Sequence, residues 1–267
     1  LDVLAYNTHY LGFNANMLAN EMFLDSSSLR SSVVSHAKTL GYVPTSARAS
    51  KATVDVTLNT NDTSATMPAG TVFNTTVDDV SYQFSTISDV TKSNTGNTIP
   101  FVGVDIYEGS FITTRYTVDS SDVDQRFIIT DNRADTTTLT VKVQTSSTDS
   151  SSNTFTEATD ITQVTTGSNV YFLQEVEAGL FEVYFGDGII GTALSDDNIV
   201  ILTYVVSNKT AANGAAIFTN SAAIASVTDI AVATSATSTA GSEPESISSI
   251  KYNAPLDFAS QGRSLYQ

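Results

Sequence analysis

The stretch from Leu180 to Gly214 constrains the fold more than any other part of this chain. Phe181, Val183 and Phe185 alternate with Glu182 and Tyr184, the two-residue period of a strand with one buried face. Gly186-Asp187-Gly188 then breaks the strand and Gly191 follows. Glycines reach backbone angles that β-branched residues resist, and an aspartate in a tight turn bonds to its own backbone. Gly186, Asp187, Gly188 and Gly191 are therefore read as structural turn residues, and turn geometry outweighs catalysis at Asp187. Ser195 to Asn198 make a second turn. Ile199 to Val206 is almost wholly apolar and β-branched, which suits a central strand covered on both faces. Asn213-Gly214 closes the stretch.

The rest of the chain reads as β with a helical start. Within residues 1–50, Phe13, Met17, Leu18 and Met22 fall at helical spacing, and Leu29, Val33, Ala37 and Leu40 repeat it. The serines after Asp25 offer caps for the second helix, and Gly41 and Pro44 end it. These apolar faces either cover a β-core or dock a neighbouring subunit. From Lys51, Ala52, Val54, Val56 and Leu58 alternate with polar residues as a one-face-buried strand. Further strands are predicted at 71–73, 82–87, in two runs within 101–118, and at 126–129, 138–143, 170–176 and 226–234. Thr145 to Thr156 is nearly all Ser, Thr, Asn and Asp and is expected to be a mobile loop. Ala233 to Gly241 reads as a linker, and Ser246 to Tyr252 as a short helix.

The expected fold class is mainly β with a short helical N-terminal part: a multi-lobe α+β chain of antiparallel β-lobes, one inserted into another. Residues 1–50 form the helical segment. Residues 51–103 and 169–235 form a discontinuous β-domain, 104–168 the inserted lobe, and 236–267 a linker, a short helix and the start of a further region.

Charge and composition narrow the function. Twelve Lys plus Arg against 28 Asp plus Glu give a net charge of −16, which repels nucleic acid phosphates. No apolar run approaches the roughly 20 residues that span a bilayer. No cysteine is present, so disulfides and thiolate metal sites are excluded. His9 and His36 have no partner at metal-ligand spacing. Asp119, Asp122 and Asp124 cluster, as do Asp196 and Asp197, but without the glycine and closing glutamate of an EF-hand loop. They read as solvated turns. No P-loop or nucleophile elbow is present, so no catalytic residue, cofactor or metal is assigned.

Four blocks in order carry a family resemblance. They are N-A-N-M-L-A-N-E-M-F-L-D from Asn14, M-P-A-G-T-V-F from Met67, F-G-D-G-I-I-G from Phe185, and G-S-E-P-E-S-I-S-S-I-K-Y-N-A-P from Gly241, with F-A-S-Q-G-R-S just beyond. Together they resemble the baseplate J-like proteins of contractile-tailed bacteriophages, and most of all the large baseplate wedge subunit of myoviruses. The resemblance implies a structural, non-enzymatic virion protein of the tail baseplate, assembled in the host cytoplasm. It implies partners among other copies of itself and other baseplate wedge and tail hub proteins, with no nucleic acid and no membrane. It also implies a ring around the tail hub that rearranges on contraction. On this reading Phe13, Met17, Leu18, Met22, Leu29 and Val33 are candidate docking residues. Since the chain opens on Leu1 and more sequence follows in the family, it is read as a fragment. Composition also fits a host-surface adhesin or carbohydrate-binding β-protein. A carbohydrate-active enzyme is a third reading, which the lack of tryptophan disfavours.

Overall fold

The computed structural model describes residues 2–122, 125–159 and 161–261, and the fold is mainly β with helices. The chain forms two compact units. One comprises Leu1–Thr45, Leu173–Glu182 and Pro244–Gln267, the other Ser46–Phe172 and Val183–Glu243.

In the first unit, α1 (Asp2–Asn20) and α2 (Arg30–Thr39) are separated near Asp25, where the sequence interrupts its pattern. The serines expected to cap α2 do not do so. Leu29 holds the cap position and makes no side-chain bond. Glu21 takes that role from upstream: its carboxylate accepts the Ser28 hydroxyl at 2.7 Å, the Ser28 N–H at 2.8 Å and the Leu29 N–H at 3.3 Å. These bonds, the Ser28 hydroxyl first, hold Glu21 down at about 2. At the other end, the Gly41 N–H bonds to the Lys38 carbonyl and the Tyr42 N–H to that of Ala37, with Gly41 at φ 78°. That pair of bonds is a Schellman stop, which the glycine makes accessible.

α3 (Ile247–Gln261) is longer than the predicted helix and runs through Pro255. The Ser246 hydroxyl starts it by accepting the Ser249 N–H at 3.2 Å. Val33, Val34 and Ala37 of α2 pack against Ile250 and Ala254 of α3 to form this unit's core. Arg30 ties it together. Its Nε and Nη2 donate to the two carboxylate oxygens of buried Glu175 at 2.6 and 2.8 Å, and its Nη1 donates to the Glu245 carbonyl.

The second unit holds most of the strands. β1 (Lys51–Asn59), β2 (Ser64–Met67), β3 (Val72–Val77), β4 (Val80–Ser85), β5 (Val90–Ser93) and β6 (Thr98–Glu108) come first. With β14 (Ile230–Thr239) they build a five-stranded sheet, β14-β1-β6-β4-β3, and a two-stranded one, β2-β5. β1 buries Ala52, Val54, Val56 and Leu58 on one face, as its alternation requires. Phe73, Phe84, Ile99 and Phe101 join them in one core, where Phe84 meets Phe218 edge-on with ring centroids 4.9 Å apart. Each such side chain contributes roughly 1.5–3 kcal/mol on full burial.

The seven-stranded sheet comprises β7 (Ser110–Thr117), β8 (Phe127–Ile129), β9 (Ala134–Gln144), β10 (Ser152–Glu157), β11 (Val170–Glu175), β12 (Phe181–Phe185) and β13 (Ile199–Val206). Their order is β7-β13-β9-β10-β11-β12-β8. This pairing differs from the expected allocation, which gave residues 169–235 to the first β-domain. β11, β12 and β13 pair instead with the strands of residues 110–157, and Ile199 sits opposite both Thr117 and Gln144. Alternation identifies a strand and its buried face, but the partner strand is set by long-range register. β13 is internal in its sheet; Val200, Leu202 and Tyr204 are buried and the residues between them partly so.

Two low-complexity readings also change. Ser152–Glu157 is a strand with Phe155 buried, so only 145–151 is a turn. Ala233–Thr239 is a strand too, pairing with β1 from the sheet edge. In both, backbone pairing holds residues whose side chains carry little apolar signal.

Candidate functional site

The sequence points to two features, the glycine turn and the N-terminal helices. The turn is tightly built. The Asp187 Oδ1 accepts the N–H groups of Ile189 at 2.9 Å and Ile190 at 3.0 Å, and the Gly188 N–H bonds to the Gly191 carbonyl at 3.1 Å. Those bonds, the one from Ile190 first, hold the Asp187 carboxyl below its ordinary range. Gly188 lies at φ 87°, and a Cβ on Gly186 would run into the Ile190 carbonyl oxygen. The carboxylate is engaged by its own loop.

The other candidates for chemistry are also engaged structurally. Asp119 accepts the hydroxyl and N–H of Ser121, while Asp196 accepts the Ser120 N–H at 2.8 Å. Asp124 lies outside the described residues. Among the described residues, no group of three or more His, Cys, Asp and Glu is placed to hold a metal ion. His36 Nε2 lies 2.9 Å from the Glu21 carbonyl oxygen, and His9 sits edge-on to Tyr10 on α1. Burial pushes the Glu108 carboxyl up, the signature expected of a general acid. Its two oxygens, however, are held at 2.8 Å by the backbone and side-chain amides of Asn208.

α1 is different. No residue of this 19-residue helix is buried, and exposure of its large apolar side chains runs from 45% at Met17 to 74% at Val3. Of the six docking candidates, Phe13, Met17, Leu18, Met22 and Leu29 are exposed. Val33 is fully buried in the α2–α3 core, because it lies on the face of α2 that α3 covers. Residues that the sequence reading passed over now join the five: Val3, Leu4, Tyr6, Tyr10 and Leu11.

A seven-residue repeat would have found them. Val3, Tyr6, Tyr10, Phe13 and Met17 are spaced alternately three and four apart, the seam of a coiled coil. Leu4, Leu11 and Leu18 recur every seven residues beside that seam, and so do Ala5, Gly12 and Ala19. A helix that is apolar on more than one side and unburied in its own chain has an incomplete environment. Most helical stability in proteins comes from packing of an apolar face, and α1 has no buried residue to supply it.

No family model matches the chain. It is similar to baseplate wedge protein gp6 of Enterobacteria phage T4, with 28% identity over 251 residues. The match covers 86% of this chain. The chain spans only 36% of the length of that relative. The match takes in most of the chain, so it does not rest on the glycine turn alone. Among the described residues, no helix is long and apolar enough to cross a membrane.

Proposed function

We propose that this chain is a structural, non-enzymatic part of a phage tail baseplate wedge, and that α1 is its docking element. One observation carries the reading: a 19-residue helix with an apolar seam and a leucine stripe buries none of its side chains within the chain. Packed between helices of neighbouring subunits, those side chains would each gain roughly 1.5–3 kcal/mol. α1 carries a single charged residue, Asp2, so the net charge of −16 does not oppose helix contacts between copies at this place. Other copies of the chain, other wedge proteins and tail hub proteins are the partners this reading names. The virion tail is its location after assembly in the host cytoplasm. Copies join into a ring around the hub, and that ring rearranges when the tail contracts. The similarity to a baseplate wedge protein over 86% of the chain supports the assembly role.

The test is sedimentation of the purified chain, alone and mixed with sibling wedge proteins. Leu11→Asp and Phe13→Asp each place a charge in one of the two apolar stripes. Loss of the complexes without loss of melting temperature is the expected result. Complexes unchanged by both substitutions would move docking away from α1.

A further inference from the structure

The five-stranded sheet closes one of its edges and leaves the other open. At β3, Asn74 and Thr219 exchange both backbone bonds, at 2.8 and 2.9 Å, so a later segment covers that edge. β14 lies at the opposite edge and pairs with β1 alone among the described residues. The Asn59 N–H bonds to the Asp229 carbonyl, and bonded pairs alternate along an antiparallel ladder. Ala231 and Ala233 therefore turn their backbone groups toward β1, while Ile230, Val232 and Thr234 turn theirs outward. Further along, the Ser238 N–H bonds to the Ala215 carbonyl at 2.9 Å and its carbonyl accepts the Gly214 N–H at 2.8 Å. The open stretch is thus Ile230 to Thr234, where the register with β1 is regular. Ile230 and Val232 are only partly buried against the core, as suits an edge with no further strand on it.

A row of unpaired N–H and C=O groups takes up an extended strand, and proteins usually guard it with charge or proline. β14 reads I-A-V-A-T-S-A-T-S-T and has neither. Asp55, directly opposite Ala233, is already engaged: it accepts the Gly103 N–H at 2.7 Å and the Ser235 hydroxyl at 2.6 Å. The edge is locally neutral and selects a neutral, proline-free strand. β14 itself is such a strand. In a twofold antiparallel pairing centred on Val232, Ile230 faces Thr234 and Val232 faces its own copy, so every outward backbone group of the open stretch meets a partner. Ala231 faces Ala233, and Asp229 faces Ser235 rather than another carboxylate. The two copies of Asp55 stand three strand spacings apart, roughly 14 Å, beyond the screening length of about 8 Å at physiological ionic strength. The net charge of −16 therefore does not oppose a second copy at this edge.

We propose that β14 is a self-pairing interface: it joins β14 of a second copy, antiparallel and centred on Val232, and makes one continuous sheet of the two. This pairing needs only a second copy, so it stands independently of α1 docking and of the baseplate reading.

A strand pair this short is weak alone, so covalent trapping of the full chain is the readout. Ala231 and Ala233 are exposed and the chain has no cysteine, so Ala231→Cys and Ala233→Cys each give a single accessible thiol. In the twofold register these two thiols, on different copies, lie across a non-hydrogen-bonded pair with Cα atoms about 4.5 Å apart, within disulfide range. Mixed under mild oxidation, the two variants should give a mixed disulfide dimer. Either variant alone should give about tenfold less, because like thiols lie on a diagonal of roughly 7–8 Å. Thr234→Pro, added to both, removes an outward N–H and no bond to β1; trapping should fall about tenfold or more while the melting temperature stays near the parent's. Ala233→Pro removes a bond to β1 and should melt lower; equal melting of the two proline variants overturns the outward assignment and the pairing with it. No mixed disulfide, or equal trapping from either variant alone, overturns the pairing whatever α1 does. Capture of a sibling wedge protein in place of a second copy, by a photo-crosslinker on the Ala231→Cys thiol, overturns the assigned partner. Trapping that persists with Leu11→Asp present supports β14 pairing by itself; trapping that disappears assigns the contact to α1 and overturns it.

Discussion

At Gly186 the backbone leaves no room for a side chain, whereas at Gly188 the difficulty is conformational. A Cβ on Gly186 meets the backbone of Ile190 and Gly191, but one on Gly188 meets nothing nearer than the Ala193 methyl at 3.6 Å. Gly188→Val should therefore cost about 1–3 kcal/mol, the strain of a β-branched residue at positive φ. Gly186→Ala should cost more than Gly188→Ala, since backbone must move to admit it. Urea unfolding of the three variants gives the order; equal midpoints for the two alanine variants would show that the loop relaxes freely. Glu21 yields a second expectation at this scale. Its folded value, about 2, lies below its ordinary 4.5, so its contribution is fully present above pH 4.5 and is lost as pH falls toward 2. Helicity should fall through that window, and Glu21→Gln should remove that part of the acid dependence. A variant with an unchanged acid limb would assign the transition to other carboxylates.

At the scale of elements, the stretch from Thr145 to Glu157 divides in two. Ser152 to Phe155 pair with Gln144 to Val141, while 145–151 is a turn held by Ser, Thr and Asp side chains. Hydrogen exchange should be fast at 147–150 and slow at the paired amides of 153–156. Uniformly fast exchange would mean that β10 is not formed. Strands with a two-residue apolar period were legible in the sequence, as β1, β12 and β13 show. β10 and the second half of β14 were not, because Ser, Thr and Ala give them little apolar signal and their place comes from pairing with β9 and β1. The α2 cap was misassigned for a related reason. Ser26 to Ser28 are good caps locally, yet a carboxylate seven residues upstream of Ser28 outcompetes them. The exposed stripe of α1 was half legible: Phe13 onward showed its spacing, while the heptad through Val3, Leu4, Tyr6, Tyr10 and Leu11 becomes decisive only when the helix is seen to bury nothing.

At the scale of the whole molecule, the N-terminal region is not one removable piece. α1 contributes no buried side chain, so deleting residues 1–20 exposes no core and leaves Glu21 to cap α2. Deleting residues 1–41 does something else. It strips Val33, Val34 and Ala37 from Ile250 and Ala254, and it removes Arg30 from Glu175, whose side chain is 1% exposed. Removing one partner of a buried ion pair costs about 3–5 kcal/mol, to which the lost apolar packing adds. The first deletion should therefore melt at the parent's temperature and fail only in assembly. The longer one should also lose hydrogen-exchange protection along α3, because α2 no longer covers Ile250, while the β-core around Phe84 and Phe101 stays protected. Loss of α3 protection in the short deletion would show that α1 packs on its own chain. Retained protection in the long one would show that α3 has a partner besides α2.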